Sequence, residues 1–193
     1  MPFTPRTAAN IIAGSGILRV APSGTALPSL ATLPTTWTGF VDVGYTVDGV
    51  TMLYTPTFKD LNVDEEMSPI QQLLTAEKFE IKIKMAESAM DNLAIAIAAS
   101  TFTNPGTGIK TLDFGSLPSA SIPEKILAFQ GVSFGGTTDR VVIAYRAKCT
   151  SAVAIHAQRA DYVTYDVTFS CLADGTKAIG KRLGQIIDYA AGS

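Results

Sequence analysis

Charge is scarce in this chain. Only 17% of its 193 residues are Asp, Glu, Lys or Arg, while 47% are hydrophobic and mean hydropathy is +0.24. Ordinary globular chains carry about 25% charged residues, so part of this surface is expected to face something other than water. A membrane is not that something. A spanning helix needs about 18 or more consecutive apolar residues, and the longest apolar stretch, Leu93 to Ala99, falls far short. Burial against other protein copies is the remaining explanation.

Histidine is nearly absent. The single His156 would have to serve any Ser-His-Asp or Cys-His arrangement. It sits in a stretch expected to be a strand, Ala152–Ala157, without a nucleophile elbow, so no catalytic residue is assigned. Cysteine is equally sparse: Cys149 and Cys171 are too few for a disulfide scaffold and lack metal-ligand spacing. Both read as reduced, partly buried thiols. The opening Met1-Pro2-Phe3-Thr4-Pro5-Arg6 lacks a basic leader region, and no secretory segment is expected.

A block of one sign is also missing. Fifteen basic residues stand against seventeen acidic ones, a net charge of −2, and the longest like-charged run is Asp64-Glu65-Glu66. Tight nucleic-acid binding needs a basic stripe that neutralises phosphates; there is none. The acidic run lacks the alternating ligands of a calcium loop, so no metal is expected. Gly106-Thr107-Gly108-Ile109-Lys110-Thr111 resembles a phosphate loop only loosely, because Ile109 separates glycine from lysine and no helix follows. No cofactor is expected either.

What is present is alternation. Lys78, Glu80, Lys82 and Lys84 interleave with Phe79, Ile81, Ile83 and Met85, the period of a half-buried strand. Val163, Tyr165, Val167, Phe169 and Cys171 repeat the pattern within Tyr162–Cys171. Further strands are expected at Ile17–Val20, Gly39–Val43, Val50–Tyr54, Phe58–Val63, Glu124–Val132 and Arg140–Lys148, with Gly135-Gly136-Thr137-Thr138 as a hairpin turn. One helix, about 86–99, is expected from Ala86, Ala89, Met90, Leu93, Ala94 and Ile97 on one face, with Glu87, Ser88, Asp91 and Asn92 opposite. The class is mainly β with one packed helix. The expected division is an N-terminal arm (1–37), a β domain (38–173) and a C-terminal tail (174–193). Loops are expected over Asn62–Thr75 and Thr103–Pro123.

The order Trp37, Val43-Gly44-Tyr45-Thr46-Val47-Asp48-Gly49-Val50, Tyr54-Thr55-Pro56, Val63-Asp64-Glu65, Ser68-Pro69-Ile70, Glu77–Lys82 and Ala86-Glu87 through Asn92-Leu93 resembles the tail tube proteins of siphophages. A weaker likeness continues through Arg140–Arg146 and Tyr165–Asp174, so that it covers roughly 40–175. The resemblance implies a β-sandwich subunit with a flanking helix. Six copies would form a ring whose strands line a channel. Stacked rings would build a tube around a tape measure protein, finished by terminator and tip proteins, assembled in the host cytoplasm and carried in the virion.

On that reading Asp64, Glu65, Glu66, Met67 and Ile70 are candidates for contact between rings. Asp60, Lys78, Glu80, Lys82, Lys84 and Asp166 are candidates for the channel wall, through which DNA passes without tight binding. Low charge suits hidden surface between copies, and the missing basic stripe suits a conduit. The alternatives are a head–tail connector or secretion-type tube subunit, or a β-sandwich module binding carbohydrate or a receptor. The last would need exposed aromatics in a groove.

Overall fold

The computed structural model describes residues 16–87, 89–118, 122–132, 138–154 and 163–190. Strands β1 (Gly16–Pro22), β2 (Val41–Asp42), β3 (Thr46–Leu61), β4 (Gln71–Met85), β7 (Lys125–Val132), β8 (Thr138–Cys149), β9 (Tyr165–Cys171) and β10 (Gly184–Ala190) form one sheet. Its order is β2-β1-β7-β8-β9-β4-β3, with β10 also paired to β8. Every pairing in it is antiparallel. Helix α1 (Met90–Ala96) and a small hairpin of β5 (Ser100–Thr103) and β6 (Thr111–Phe114) complete the described elements.

The sheet forks at β8. Its first part, Thr138–Ala144, pairs with β10, and its last residues, Ala147–Cys149, pair with β9. Between them the register with β7 slips, Lys125 lying opposite Ala147 and Leu127 opposite Ala144. That bulge at Tyr145-Arg146 reverses the alternation along the strand. Val141, Ile143 and Tyr145 enter one core, Ala144, Ala147 and Cys149 the other. Arg146 secures the bend: its guanidinium donates twice to the Glu124 carboxylate and once to the Ala173 carbonyl. The same guanidinium holds the Glu124 carboxyl below its usual range.

The larger core fills the space inside the fork. Phe169, Val167, Ile81, Met85, Leu127, Leu18 and Val43 are almost wholly buried there, with Ile95 and Ala96 of α1 on top. The alternating faces expected of Lys78–Met85 and, within Tyr162–Cys171, of Tyr165–Cys171 agree with this burial: the apolar members face inward and the polar members outward. A second core on the other side gathers Ile126, Ala128, Val141, Ile143, Tyr145 and Tyr189 under Trp37. Leu27, Leu30, Leu33 and Phe40 close over it, and Tyr189 Oη donates to the Leu30 carbonyl.

The segments expected as arm and tail therefore each contribute a strand to the sheet. β1 pairs with β7 through all seven of its residues, and β10 with β8 through all seven of its own. Four other expectations change. Val50–Tyr54 and Phe58–Val63 are parts of one long strand, β3, and the loop expected over Asn62–Thr75 shrinks to 62–70 because Gln71–Thr75 extend β4. The loop over Thr103–Pro123 contains β6. Ala152–Ala154 are not strand, whereas His156 and the turn at 135–137 lie outside the described residues.

The helix is shorter than 86–99 and rotated. It buries Asn92, Ile95 and Ala96 rather than the face centred on Met90 and Ala94. The cause is a polar interlock. The Asn92 side-chain amide donates to the carbonyls of Val43 and Glu87, and the Glu87 carboxylate accepts the Tyr45 N–H instead of capping the helix. Gly44 sits between them at φ +74°, and a Cβ there would overlap the Glu87 carboxylate. The residues of the Val43–Tyr45 and Glu87–Leu93 segments thus fix one another. Replacing Asn92 by Leu keeps the branched shape and the heavy-atom count but strands the Val43 carbonyl. It is expected to lower unfolding free energy by about 1–3 kcal/mol, read as a reduced urea midpoint at constant slope.

Candidate assembly surface

The polar face of β9-β4-β3 brings five of the six channel-wall candidates together. Cross-strand partners share a face, so the pairings Lys84 with Asp166, Lys82 with Thr51 and Thr168, and Glu80 with Leu53 and Ser170 place Lys78, Glu80, Lys82, Lys84 and Asp166 side by side. Lys78 Nζ lies 2.8 Å from Glu80 Oε1, and that ammonium holds the Glu80 carboxyl below its usual range. Asp60 is not among them. It pairs with Gln72 on the opposite face, in line with Tyr54 and Phe58, and its Oδ1 accepts the Gln72 amide. The period of two along β3 puts Asp60 out of phase with Thr51 and Leu53. Asp48, which the sequence reading left out, borders the same face. It and Gly49 both have positive φ and bulge out of β3 opposite Lys84 and Ile83.

The outer half of the β3–β4 hairpin stands alone. β9 pairs with β4 only over Glu80–Met85, so beyond that point the hairpin is a bare two-stranded ribbon. From Leu53 to Leu61 it runs about 27 Å. Leu53, Tyr54, Phe58, Leu61, Ile70, Leu73 and Leu74 are each 41–54% exposed along it, and Met67 at its tip is fully exposed. A two-stranded ribbon is marginal in water by itself. Leaving this many large apolar side chains half in solvent forgoes about 1 kcal/mol each. Asp64, Glu65 and Glu66 crown the tip, and no ion pair involves them among the described residues.

At the root of the ribbon the fork in the sheet remains open. A groove of about 330 Å³ runs between Tyr54, Glu77 and Phe79 on one wall and Val142, Leu183 and Ile186 on the other. Tyr54 Oη donates to Glu77 Oε2, which raises the phenol's pKa. Ile186 is 64% exposed at the groove's edge, exposed Arg182 lines it, and exposed Lys181 precedes Arg182 in the chain. The two cysteines lie elsewhere, in the main core; burial raises both thiols, Cys171 to about 12. Among the described residues no three His, Cys, Asp or Glu side chains are placed to hold a metal, and no helix is long and apolar enough to cross a membrane.

The sequence of this projecting ribbon and its sheet matches the family described as phage tail tube protein over residues 4–183. The chain belongs to that family. No curated protein matches it individually. Membership makes the chain a structural component of a phage tail, part of an oligomeric tube, in a family that is structural. The fold of this tail tube protein is the mainly β architecture described above, and among the described residues its sheet is not closed into a barrel within one copy. The match begins at residue 4 and ends at 183, which takes in β1 and its cover as well as the ribbon.

Proposed function

We propose that the chain is the repeating subunit of a siphophage-type tail tube: six copies close a ring, rings stack, and the polar faces of β9-β4-β3 line the conduit through which DNA leaves. The observation that carries this reading is the half-exposed apolar ribbon, which reaches its stable state only against other copies. The free outer edge of β3 supports it as well, since edges are removed when neighbouring sheets close on one another. The tip residues Asp64, Glu65, Glu66, Met67 and Ile70 then face the adjoining ring. The lumen is filled by a tape measure protein during assembly in the host cytoplasm, and terminator and tip proteins bound the tube.

Negative-stain microscopy and sedimentation of the purified protein test this. Rings or hollow rods that lengthen with concentration are expected. A protein that stays monomeric at all concentrations overturns the proposal.

A further inference from the structure

We infer that the open groove at the fork is the seat for the hairpin tip of another copy, with Met67 and Ile70 entering between Tyr54, Phe79 and Ile186 and the acidic crown lying on Lys181 and Arg182. The inference rests on the tube reading and names the partner surface that reading leaves open. Three observations lead to it.

The first is fit. Tyr54, Phe79, Val142, Leu183 and Ile186 make the groove walls mainly apolar, with Glu77, Arg182 and Gln185 as their polar members, and its volume is about 330 Å³. A dry apolar cavity of about 150 Å³ accepts a benzene-sized group, so the groove has room for two large side chains. The tip presents two at the required place, fully exposed Met67 and 53% exposed Ile70.

The second is charge. Asp64, Glu65 and Glu66 have no ion-pair partner among the described residues, and neither do Lys181 and Arg182. Among the described residues the Arg182 side chain makes one hydrogen bond, its Nε donating to the Lys177 carbonyl 3.3 Å away. Complementary charges at a rim steer and orient docking.

The third is reach. Tyr54 lines the groove and belongs to the same ribbon as the tip. Seven strand steps separate it from Leu61, about 23 Å of extended chain. A copy's own tip is therefore held away from its own groove, and the occupant comes from a neighbour. A tip-into-groove contact joins two different surfaces, so it repeats from copy to copy without closing on a pair.

The experiment mixes a Met67→Cys variant with an Ile186→Cys variant under mild oxidation. The native thiols are buried with raised pKa values and do not compete. A disulfide linking the two variants, absent when either is oxidised alone, is expected. The combined Glu65→Lys and Glu66→Lys change, or the combined Lys181→Glu and Arg182→Glu change, should each cut the cross-linked fraction about tenfold, and pairing the two reversed partners should restore it. Tubes that form without the cross-link overturn the docking and leave the tube reading standing. A cross-link without tubes supports the docking and overturns the tube reading. Loss of both overturns both. Cross-linking that ignores the charge reversals removes the assignment of Lys181 and Arg182.

Discussion

Deleting residues 62–70 and joining Leu61 to Gln71 through an Asn-Gly turn is expected to abolish tube growth while leaving the subunit folded. Leu61 and Gln71 are direct cross-strand partners, so a two-residue turn closes the shortened hairpin without altering register. The removed residues touch neither core, and the urea midpoint should correspond to a change within about 0.5 kcal/mol. What disappears is Met67, Ile70 and the acidic crown, the parts of the molecule that reach furthest from its own support. Sedimentation should then show only species no larger than a ring. Tubes of ordinary length from the deleted protein would show that the tip plays no part in stacking.

The second large effect concerns charge in the conduit. Lys78, Lys82 and Lys84 share their face with Glu80 and Asp166, Asp48 borders it, and Lys59 continues it outward along β3, so four cations stand against three carboxylates. A duplex carries about one negative charge per 1.7 Å of axis and binds basic surfaces by releasing counterions. Asp166→Lys replaces the residue opposite Lys84 and shifts each copy by two charges, repeated in every ring. The tubes should still form, because Asp166 is exposed and makes no ion pair among the described residues. DNA ejection should slow markedly near 0.01 M salt, where the screening length is about 30 Å, and recover toward the unmodified rate near 0.15 M, where it is about 8 Å. Asp166→Asn should fall between. Ejection at the unmodified rate in low salt would rule out this face as the wall.

Several elements were legible in the sequence because their burial is one-sided. Lys78–Met85 and Tyr165–Cys171 each set apolar side chains on the core and polar ones outside, and simple alternation reports that. The outer part of the hairpin was not legible. Phe58, Leu61, Leu73 and Leu74 are half-exposed on both faces, so the alternation that marks a strand is blurred where two faces both await a partner. Gln71–Thr75 look like loop for the same reason. β10 was missed because Ile186-Ile187 is too short a run to signal a strand, and its place is set by pairing with Val141 and Val142 far earlier in the chain. The polarity of Asn92 points to the surface; its burial follows from two carbonyls brought to it by the fold. The phase of Asp60 is not legible where β3 reads as two strands, and the structure sets it on the face opposite Lys78, Lys82 and Lys84.

The outer margin of β3 is interrupted twice. Asp48-Gly49 bulges out of line, and Pro56 brings no N–H to any ladder. A stray extended peptide meeting this margin finds only short stretches of unbroken donors and acceptors, and such interruptions are how edge strands resist indiscriminate pairing. Newly made copies can therefore accumulate at high concentration without zipping into sheets of arbitrary register.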